Sequence, residues 1–154
     1  MPQRKSVRLG PGRYESGTHF VTMTTRDRMR RFENAELSEA TIRVLLDLRE
    51  KHGFQLFSYC LMPDHFHALM RVDDSDLDLS SICGRFKSLS TREFWRFDDK
   101  KLWHRGFYES IVEGDDALYD TVRYIRQNPV KAGLVDRWDK WQYYGEPDFE
   151  GWLK

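Results

Sequence analysis

The amino-acid sequence predicts an α+β fold in which helices pack on one central antiparallel sheet. The chain has 154 residues, 40% of them apolar, which suits one well-packed domain and is too short for two. Strand-like segments alternate with segments of helical apolar spacing, and no internal repeat interrupts them. We therefore expect residues 1–154 to form a single domain, with a basic extended arm at 1–17 and a C-terminal tail at 136–154.

The first half of the chain predicts one strand, one helix and a hairpin. Residues 19–25 alternate and are rich in β-branched side chains, as strands are. Apolar residues then recur at helical spacing between a capping Ser38 and Gly53. Residues 54–62 are almost wholly apolar, as a strand buried on both faces would be, and residues 65–72 follow after a tight turn. These two strands should pair.

The second half predicts a helix, a strand and a last helix. The first of these helices should cover residues 79–97, and residues 103–112 suit a further strand or an extended segment. The last helix should stop near Asn128, because the residue before Pro129 is pushed out of the α region. The resulting order of strand, helix, strand, strand, helix, strand and helix is that of a ferredoxin-like sandwich with an added C-terminal helix.

Two histidines at the start of the second hairpin strand are the first candidate site residues. Side chains at positions i and i+2 of a strand share one face, so His65 and His67 should project together and could bind a metal ion. Pro63 and Asp64 before them read as a turn, and Asp64 could also accept a hydrogen bond from a ligand histidine. The alternative is that both histidines are ordinary, partly buried strand residues.

The last helix offers a phenol beside a carboxamide. Tyr124 and Asn128 are four residues apart, so their side chains should be neighbours, flanking the apolar stripe that contains Val122 and Ile125. Two imidazoles and one amide oxygen would leave a divalent ion open positions for phosphate oxygens and water. A tyrosine assisted in losing its proton could then attack phosphorus and become a phosphotyrosine. Alternatively, Tyr124 merely packs and Asn128 merely ends the helix.

Charge is distributed unevenly although the formal net charge is zero. Basic residues concentrate in segments 4–31 and 85–105, and acidic residues gather elsewhere, so one face could meet phosphates while the whole chain stays neutral. A mixed-charge, solvated surface is the alternative interpretation. The candidate DNA contacts are Arg4, Lys5, Arg8, Arg85, Lys87, Arg126 and Lys131.

The composition also suggests a compartment. No apolar run approaches the ~20 residues needed to cross a bilayer, and the N-terminus lacks the apolar core of a signal peptide, so we expect a cytoplasmic protein. Cys60 and Cys83 lack a short metal-type spacing and should be reduced, structural thiols.

Several of these segments resemble one protein family. Residues 62–67 resemble the His-hydrophobic-His (HUH) motif of single-tyrosine transposases, and residues 124–135 resemble their catalytic-tyrosine segment. The likeness is in particular to the branch associated with repetitive extragenic palindromes (REP), and it spans roughly residues 10–135. Ser110 and His104 depart from the pattern, where histidine and glutamine respectively are frequent.

The resemblance implies a site and a substrate. Tyr124 would be the nucleophile, and His65, His67 and Asn128 would hold Mg²⁺ or Mn²⁺, with imidazole ligation favouring Mn²⁺. The expected function is metal-dependent nicking and strand transfer on single-stranded DNA, through a 5′-phosphotyrosine and a free 3′-hydroxyl. Hairpin-bearing palindromic DNA is the implied partner, and homodimers with exchanged helices are possible.

Two other functions fit the same residues. One is a non-catalytic nucleic-acid-binding module that uses the basic arm and a sheet face. The weaker one is a metal-assisted hydrolase in which water attacks and Tyr124 only positions the substrate.

Overall fold

A computed structural model describes residues 3–5 and 17–150, and in it three helices pack on a six-stranded sheet. All strand pairs are antiparallel, and the strand order is β1-β5-β2-β4-β3-β6. The four central strands and the helices between them confirm the predicted ferredoxin-like α+β sandwich. The strands are β1 (Gln3–Lys5), β2 (Thr18–Thr24), β3 (Gln55–Met62), β4 (His65–Arg71), β5 (Phe107–Val112) and β6 (Tyr144–Gly145), and the helices are α1 (Ala35–His52), α2 (Leu79–Phe94) and α3 (Asp115–Lys131).

The sheet separates two apolar cores. The larger core lies between the sheet and the α1 and α2 helices, and the smaller one lies between the sheet and α3. Val122 and Ile125 of α3 are fully buried in the smaller core, which also contains Cys60. Cys60 and Cys83 are buried free thiols, and burial raises the pKa of each to about 12. They are therefore poor nucleophiles at neutral pH.

The N-cap of helix α1 lies four residues before the predicted cap. The side chain of Asn34 accepts a hydrogen bond from the Leu37 amide at 3.1 Å, which is N-cap geometry. Ser38 instead lies inside the helix, where its hydroxyl donates to the Phe32 carbonyl at 2.7 Å. The predicted end is confirmed, because Gly53 adopts the left-handed conformation (φ 77°) that closes the helix.

Helix α2 and strand β5 are shorter than predicted. Asp78 caps α2 by accepting from the Ser81 amide at 2.8 Å, and the helix continues through Gly84 without a break. It ends at Phe94, and Phe97 beyond it is 41% exposed, so no core contact extends the helix. Residues 101–106 are not a strand, and Trp103 makes only one isolated bridge to Thr25.

Helix α3 passes through Asn128 and Pro129, so the prediction that it stops near Asn128 is wrong. Pro129 is buried, and it removes only its own backbone donor from the ladder. Beyond it, the Ala132 amide still donates to the Asn128 carbonyl at 3.1 Å and the Leu134 amide to the Pro129 carbonyl at 3.0 Å. Asn128 is therefore presented from a regular helix.

The predicted tail, as far as residue 150, packs against the sheet. Strand β6 pairs with β3. The Asp148 carboxylate accepts two bonds from the Arg49 guanidinium, at 2.6 and 2.7 Å, and one from the Leu56 amide at 2.7 Å. These bonds join the end of the chain to α1 and β3. Within the described part of the chain, no helix is long and apolar enough to cross a membrane.

Candidate active site

His65 and His67 stand side by side at the start of β4, as their spacing predicts. Their ring centroids are 4.8 Å apart, and the rings are nearly perpendicular. Both rings lie on the α3 face of the sheet, where His65 also meets Asn128 and His67 meets Tyr124. The turn from β3 into β4 thus brings the histidine pair to the edge of the smaller core.

Each imidazole is oriented by a hydrogen bond at Nδ1. His65 Nδ1 lies 2.8 Å from Asp64 Oδ1, and His67 Nδ1 lies 2.9 Å from Thr22 Oγ1. Thr22 is the direct β2 partner of His67 in the strand register. Because Asp64 and Thr22 engage Nδ1 of the two rings, Nε2 is the nitrogen that could meet a ligand or substrate, and in His65 it faces Asn128.

Asn128 joins the histidines from α3. Its Oδ1 lies 3.1 Å from His65 Nε2, and its side chain also hydrogen-bonds the His67 ring. Both nitrogens of His65 therefore face oxygens, those of Asp64 and Asn128, whereas a neutral imidazole has only one N–H to donate. If His65 donates that proton from Nδ1 to the Asp64 carboxylate, the lone pair on Nε2 faces the Asn128 oxygen.

This donor set fits a divalent ion. Adjacent ligands of an octahedral ion with bonds of about 2.1 Å are about 3 Å apart, close to the 3.1 Å between His65 Nε2 and Asn128 Oδ1. Over residues 3–5 and 17–150, no cluster of three or more His, Cys, Asp or Glu side chains is placed to bind a metal. A metal here would depend on the Asn128 amide as its third protein ligand.

The His67 ring is held in its neutral form. Burial is the main cause, and the electrostatic interaction with neighbouring His65 adds to it, so that the pKa of His67 falls to about 3. The hydrogen bond with Asn128 opposes this shift, and the Arg28 charge reinforces it. A neutral imidazole is the form that can ligate a metal.

Tyr124 lies on the same face, one helical turn before Asn128. Its ring meets His67 and Phe20 edge-on, with centroid distances of 5.8 Å to each. The neighbouring Val122 and Ile125 anchor this part of α3 in the core, while Tyr124 itself is 50% exposed. The structure thus brings Tyr124 together with the histidine pair and Asn128 within one chain, with the phenol accessible to a substrate.

The site includes two residues that sequence reasoning missed. Thr22 faces His67 only because β2 and β4 pair in one particular register, which the sequence pattern does not specify. Arg28 donates from Nε to Asp64 Oδ2 at 3.1 Å, on the other oxygen of the carboxylate that orients His65. The only sequence feature that could have indicated Arg28 is its position in the basic segment 4–31.

The candidate DNA contacts fall into different environments. Arg85 on α2 and Lys131 at the end of α3 are exposed. Lys87 instead donates to the carbonyls of His104 and Gly106, at 2.9 and 2.7 Å. Strand β1 contains Arg4 and Lys5, whose side chains are not described, and Arg8 lies outside the described residues.

Arg126 is buried rather than presented to solvent. Its Nη2 donates to Glu146 at 2.8 Å, its Nε donates to the same carboxylate, and its guanidinium lies 3.9 Å from the Trp138 ring centroid. The structure thus pairs Arg126, a predicted DNA contact, with a carboxylate of the tail.

A basic groove of about 1010 Å³ runs beside α2. Its walls are the later turns of α2 and the irregular segment 101–106, and Trp95, 58% exposed, lies at its edge. A groove with cations and an exposed aromatic ring suits a nucleic-acid backbone and an unstacked base. Its cationic side chains are Arg26, Lys87, Arg92, Lys101 and Arg105.

Comparison with known proteins gives a family match that covers most of the chain. A family model described as Transposase IS200 like matches residues 13–128, a span that contains both histidines, Tyr124 and Asn128. The REP-associated tyrosine transposase of Escherichia coli (strain K12) is 26% identical over 132 residues, covering 84% of this chain and 76% of that protein. A Haemophilus influenzae protein whose name places it in the same group is 25% identical over 140 residues, covering 84% and 79% respectively.

Solved structures show the same fold. A REP-associated tyrosine transposase bound to a REP hairpin matches with a TM-score of 0.75 at 22% identity, over 90% of this chain and 82% of that one. A transposase structure from Deinococcus radiodurans R1 matches with a TM-score of 0.50 at 17% identity, over 79% and 97%. The resemblance read from the motifs is confirmed, and the chain belongs to the IS200-like transposases, enzymes that nick and rejoin DNA.

Proposed function

We propose that this chain cleaves and rejoins single-stranded DNA through a covalent bond between Tyr124 and a 5′-phosphate. The observation that carries the proposal is the convergence of Tyr124 with His65, His67 and Asn128 on one face of the sheet. The phenol would release its proton to solvent as its oxygen attacks phosphorus, the bond from phosphorus to the 3′-oxygen would break, and that oxygen would take up a proton and leave as a 3′-hydroxyl, so that protons balance. Attack by a different 3′-hydroxyl would reverse the step and join two strands.

The chain's own residues prepare this step in two ways. Asp64 and Thr22 hold the imidazoles through Nδ1, so that Nε2 of each ring is directed away from these partners. Burial of Val122 and Ile125 fixes α3, so that Tyr124 is positioned against His67 before substrate arrives. Such positioning lowers the entropic cost of bringing phenol and phosphate together.

His65, His67 and Asn128 would hold the metal ion. Bound there, Mg²⁺ or Mn²⁺ would polarise the scissile phosphate and stabilise the charge that develops on it. The neutral state of His67 means that little proton competition opposes binding at that ring near neutral pH.

The proposed substrate is a hairpin-forming DNA with a single-stranded flank. One supporting fact is that the structural relative was solved with a REP hairpin. The other is the basic groove beside α2, whose cations and exposed Trp95 could hold the backbone and a base.

The first prediction concerns the nucleophile. Incubation with an end-labelled, single-stranded oligonucleotide and Mn²⁺ should give an SDS-resistant protein–DNA adduct, and Tyr124→Phe should reduce that adduct to background because it lacks the attacking oxygen. Tyr119→Phe is the matched control on the same helix, since Tyr119 packs against Phe149 and should keep the wild-type yield. An undiminished adduct in Tyr124→Phe would disprove the assignment.

The same assay separates the enzyme from the two alternatives. A non-catalytic module would bind DNA in a salt-dependent way that is indifferent to a chelator and to His65→Ala. A metal-assisted hydrolase would cleave the oligonucleotide in Mn²⁺ without an adduct. The proposed transposase requires both the adduct and its loss on chelation.

A further inference from the structure

The short turn after β2 has an unusual backbone. Asp27 and Arg28 are consecutive residues with φ of 56° and 55°, a left-handed conformation that side chains other than glycine rarely adopt. Aspartate tolerates this region better than arginine does. The Arg28 side chain is 60% exposed, so core packing does not account for its placement.

Hydrogen bonds attach this turn to the turn that precedes His65. The Thr25 amide donates to the Asp64 carbonyl at 3.0 Å, and its hydroxyl lies 2.7 Å from the Met29 carbonyl and 3.1 Å from the Asp64 carbonyl. The Phe32 amide donates to the Pro63 carbonyl at 3.0 Å. These bonds hold the turn that contains Asp27 and Arg28 beside Asp64, the residue that precedes the histidine pair.

Asp64 then places the Arg28 guanidinium at the site. One carboxylate oxygen meets His65 Nδ1 at 2.8 Å, and the other accepts from Arg28 Nε at 3.1 Å. Within residues 3–5 and 17–150, the structure gives the two terminal nitrogens of Arg28 no partner. A guanidinium held at one end and open at the other is suited to bind phosphate oxygens.

We propose that Arg28 binds a phosphate of the single-stranded DNA, at or next to the phosphate that Tyr124 attacks. This inference rests on the proposed function and adds a substrate-contacting residue to it. Strain in the backbone at this turn agrees with such a role, since strained residues cluster where a ligand is clamped. Asp64 would have two tasks, orienting His65 and anchoring the guanidinium.

The test measures binding, so that it does not depend on cleavage. Tyr124→Phe protein is titrated by fluorescence anisotropy, in Mn²⁺, against single-stranded oligonucleotides that carry one neutral methylphosphonate at each phosphate in turn. With Arg28 present, one position near the cleavage point should weaken binding by about 10-fold, because a charge-assisted hydrogen-bonded contact is lost. In Tyr124→Phe/Arg28→Ala, binding to the unmodified DNA should fall by the same factor, and that position should lose its effect.

Two further variants keep the test decisive. Arg28→Asn removes the charge but suits a positive φ, so it guards against misfolding of the turn. Arg43→Ala removes an equally charged, exposed residue from α1 and should leave the methylphosphonate profile unchanged.

A methylphosphonate profile that is unchanged in Arg28→Ala and Arg28→Asn would overturn the proposal. This holds even if these variants bind Mn²⁺ more weakly, because Arg28 would then act only by holding Asp64. The adduct assay on the wild-type protein is independent of this result. A missing adduct with an Arg28-dependent profile would refute the proposed cleavage reaction, and of the inference only the contact between Arg28 and a DNA phosphate would remain.

Discussion

The two histidines of the site differ in exposure and in their partners. The side chain of His65 is 16% exposed and shares Asp64 with Arg28, whereas His67 is buried beneath Tyr124 and Phe20 and bonds to Thr22. Burial penalises the imidazolium, so His67 stays neutral over a wide pH range. The chain thus places one imidazole that burial keeps neutral beside one that is partly exposed to solvent.

This protection predicts how stability depends on pH. The pKa of His67 is about 3 in the folded protein and 6.5 in the ordinary reference state. Between these values the unfolded chain binds a proton that the folded chain does not, so the free energy of unfolding should fall as pH drops from about 6.5 toward 3. The slope from this group should reach at most about 1.4 kcal/mol per pH unit.

Urea denaturation of metal-free protein in a chelator, at intervals between about pH 7 and pH 4.5, would measure that slope. The range stops above the region where Asp64 and Asp148, whose pKa values are lowered, begin to take up protons. His67→Gln should give a flatter dependence, since glutamine does not titrate. Equal slopes for the two proteins would contradict a buried, neutral His67.

Among the elements, local signals predicted type better than length. The strands at 54–62 and 65–72 and the end of α1 at Gly53 were recognisable because apolar runs and glycine act locally. The rule that proline stops a helix failed at Pro129, which is buried inside α3 and removes only one hydrogen bond from it. Tertiary packing decided that boundary, and no local pattern reports it.

In the candidate site, too, the sequence predicted the geometry within single elements better than the contacts between elements. The i, i+2 pair of histidines and the i, i+4 pair of Tyr124 and Asn128 follow from regular geometry within single elements. No local pattern places the two pairs together, and their meeting was inferred from the chemistry of a shared metal ion and from the family resemblance. Arg126 was expected on DNA, but its salt bridge to Glu146 depends on how the tail returns to α3, which sequence spacing does not contain.

Alanine substitutions at two glycines, Gly84 in α2 and Gly145 in β6, would test how tightly these two elements pack. A Cβ added at Gly84, inside α2, would meet nothing within 4 Å, so Gly84→Ala should stabilise the protein by about 0.5–1 kcal/mol through helix propensity. A Cβ at Gly145, in β6, would lie 2.5 Å from the buried Tyr59 ring, so Gly145→Ala should destabilise by about 1–3 kcal/mol. Urea denaturation would measure both changes, and a stabilising Gly145→Ala would show that β6 does not pack on β3 in this way.

Across the whole molecule, the sheet separates two kinds of surface. The face covered by α3 contains the histidine pair and Tyr124, and the α2 side contains the basic groove. The tail fastens α3 to its own sheet, because Arg126 of α3 meets Glu146 and Trp138 while β6 pairs with β3. These attachments oppose an exchange of α3 with another chain.

We therefore predict that each chain uses its own tyrosine. Tyr124 meets His67 of the same chain, with ring centroids 5.8 Å apart, so a single chain already brings the phenol to the histidine pair. A mixture of Tyr124→Phe and His65→Ala chains, unfolded and refolded together so that exchange is possible, should form no more SDS-resistant adduct than the two variants form separately. Light scattering on the same samples would report the oligomeric state. Recovery of adduct toward one quarter or more of the wild-type yield would mean that α3 crosses between chains, and that the tail contacts of Arg126 do not hold it in place.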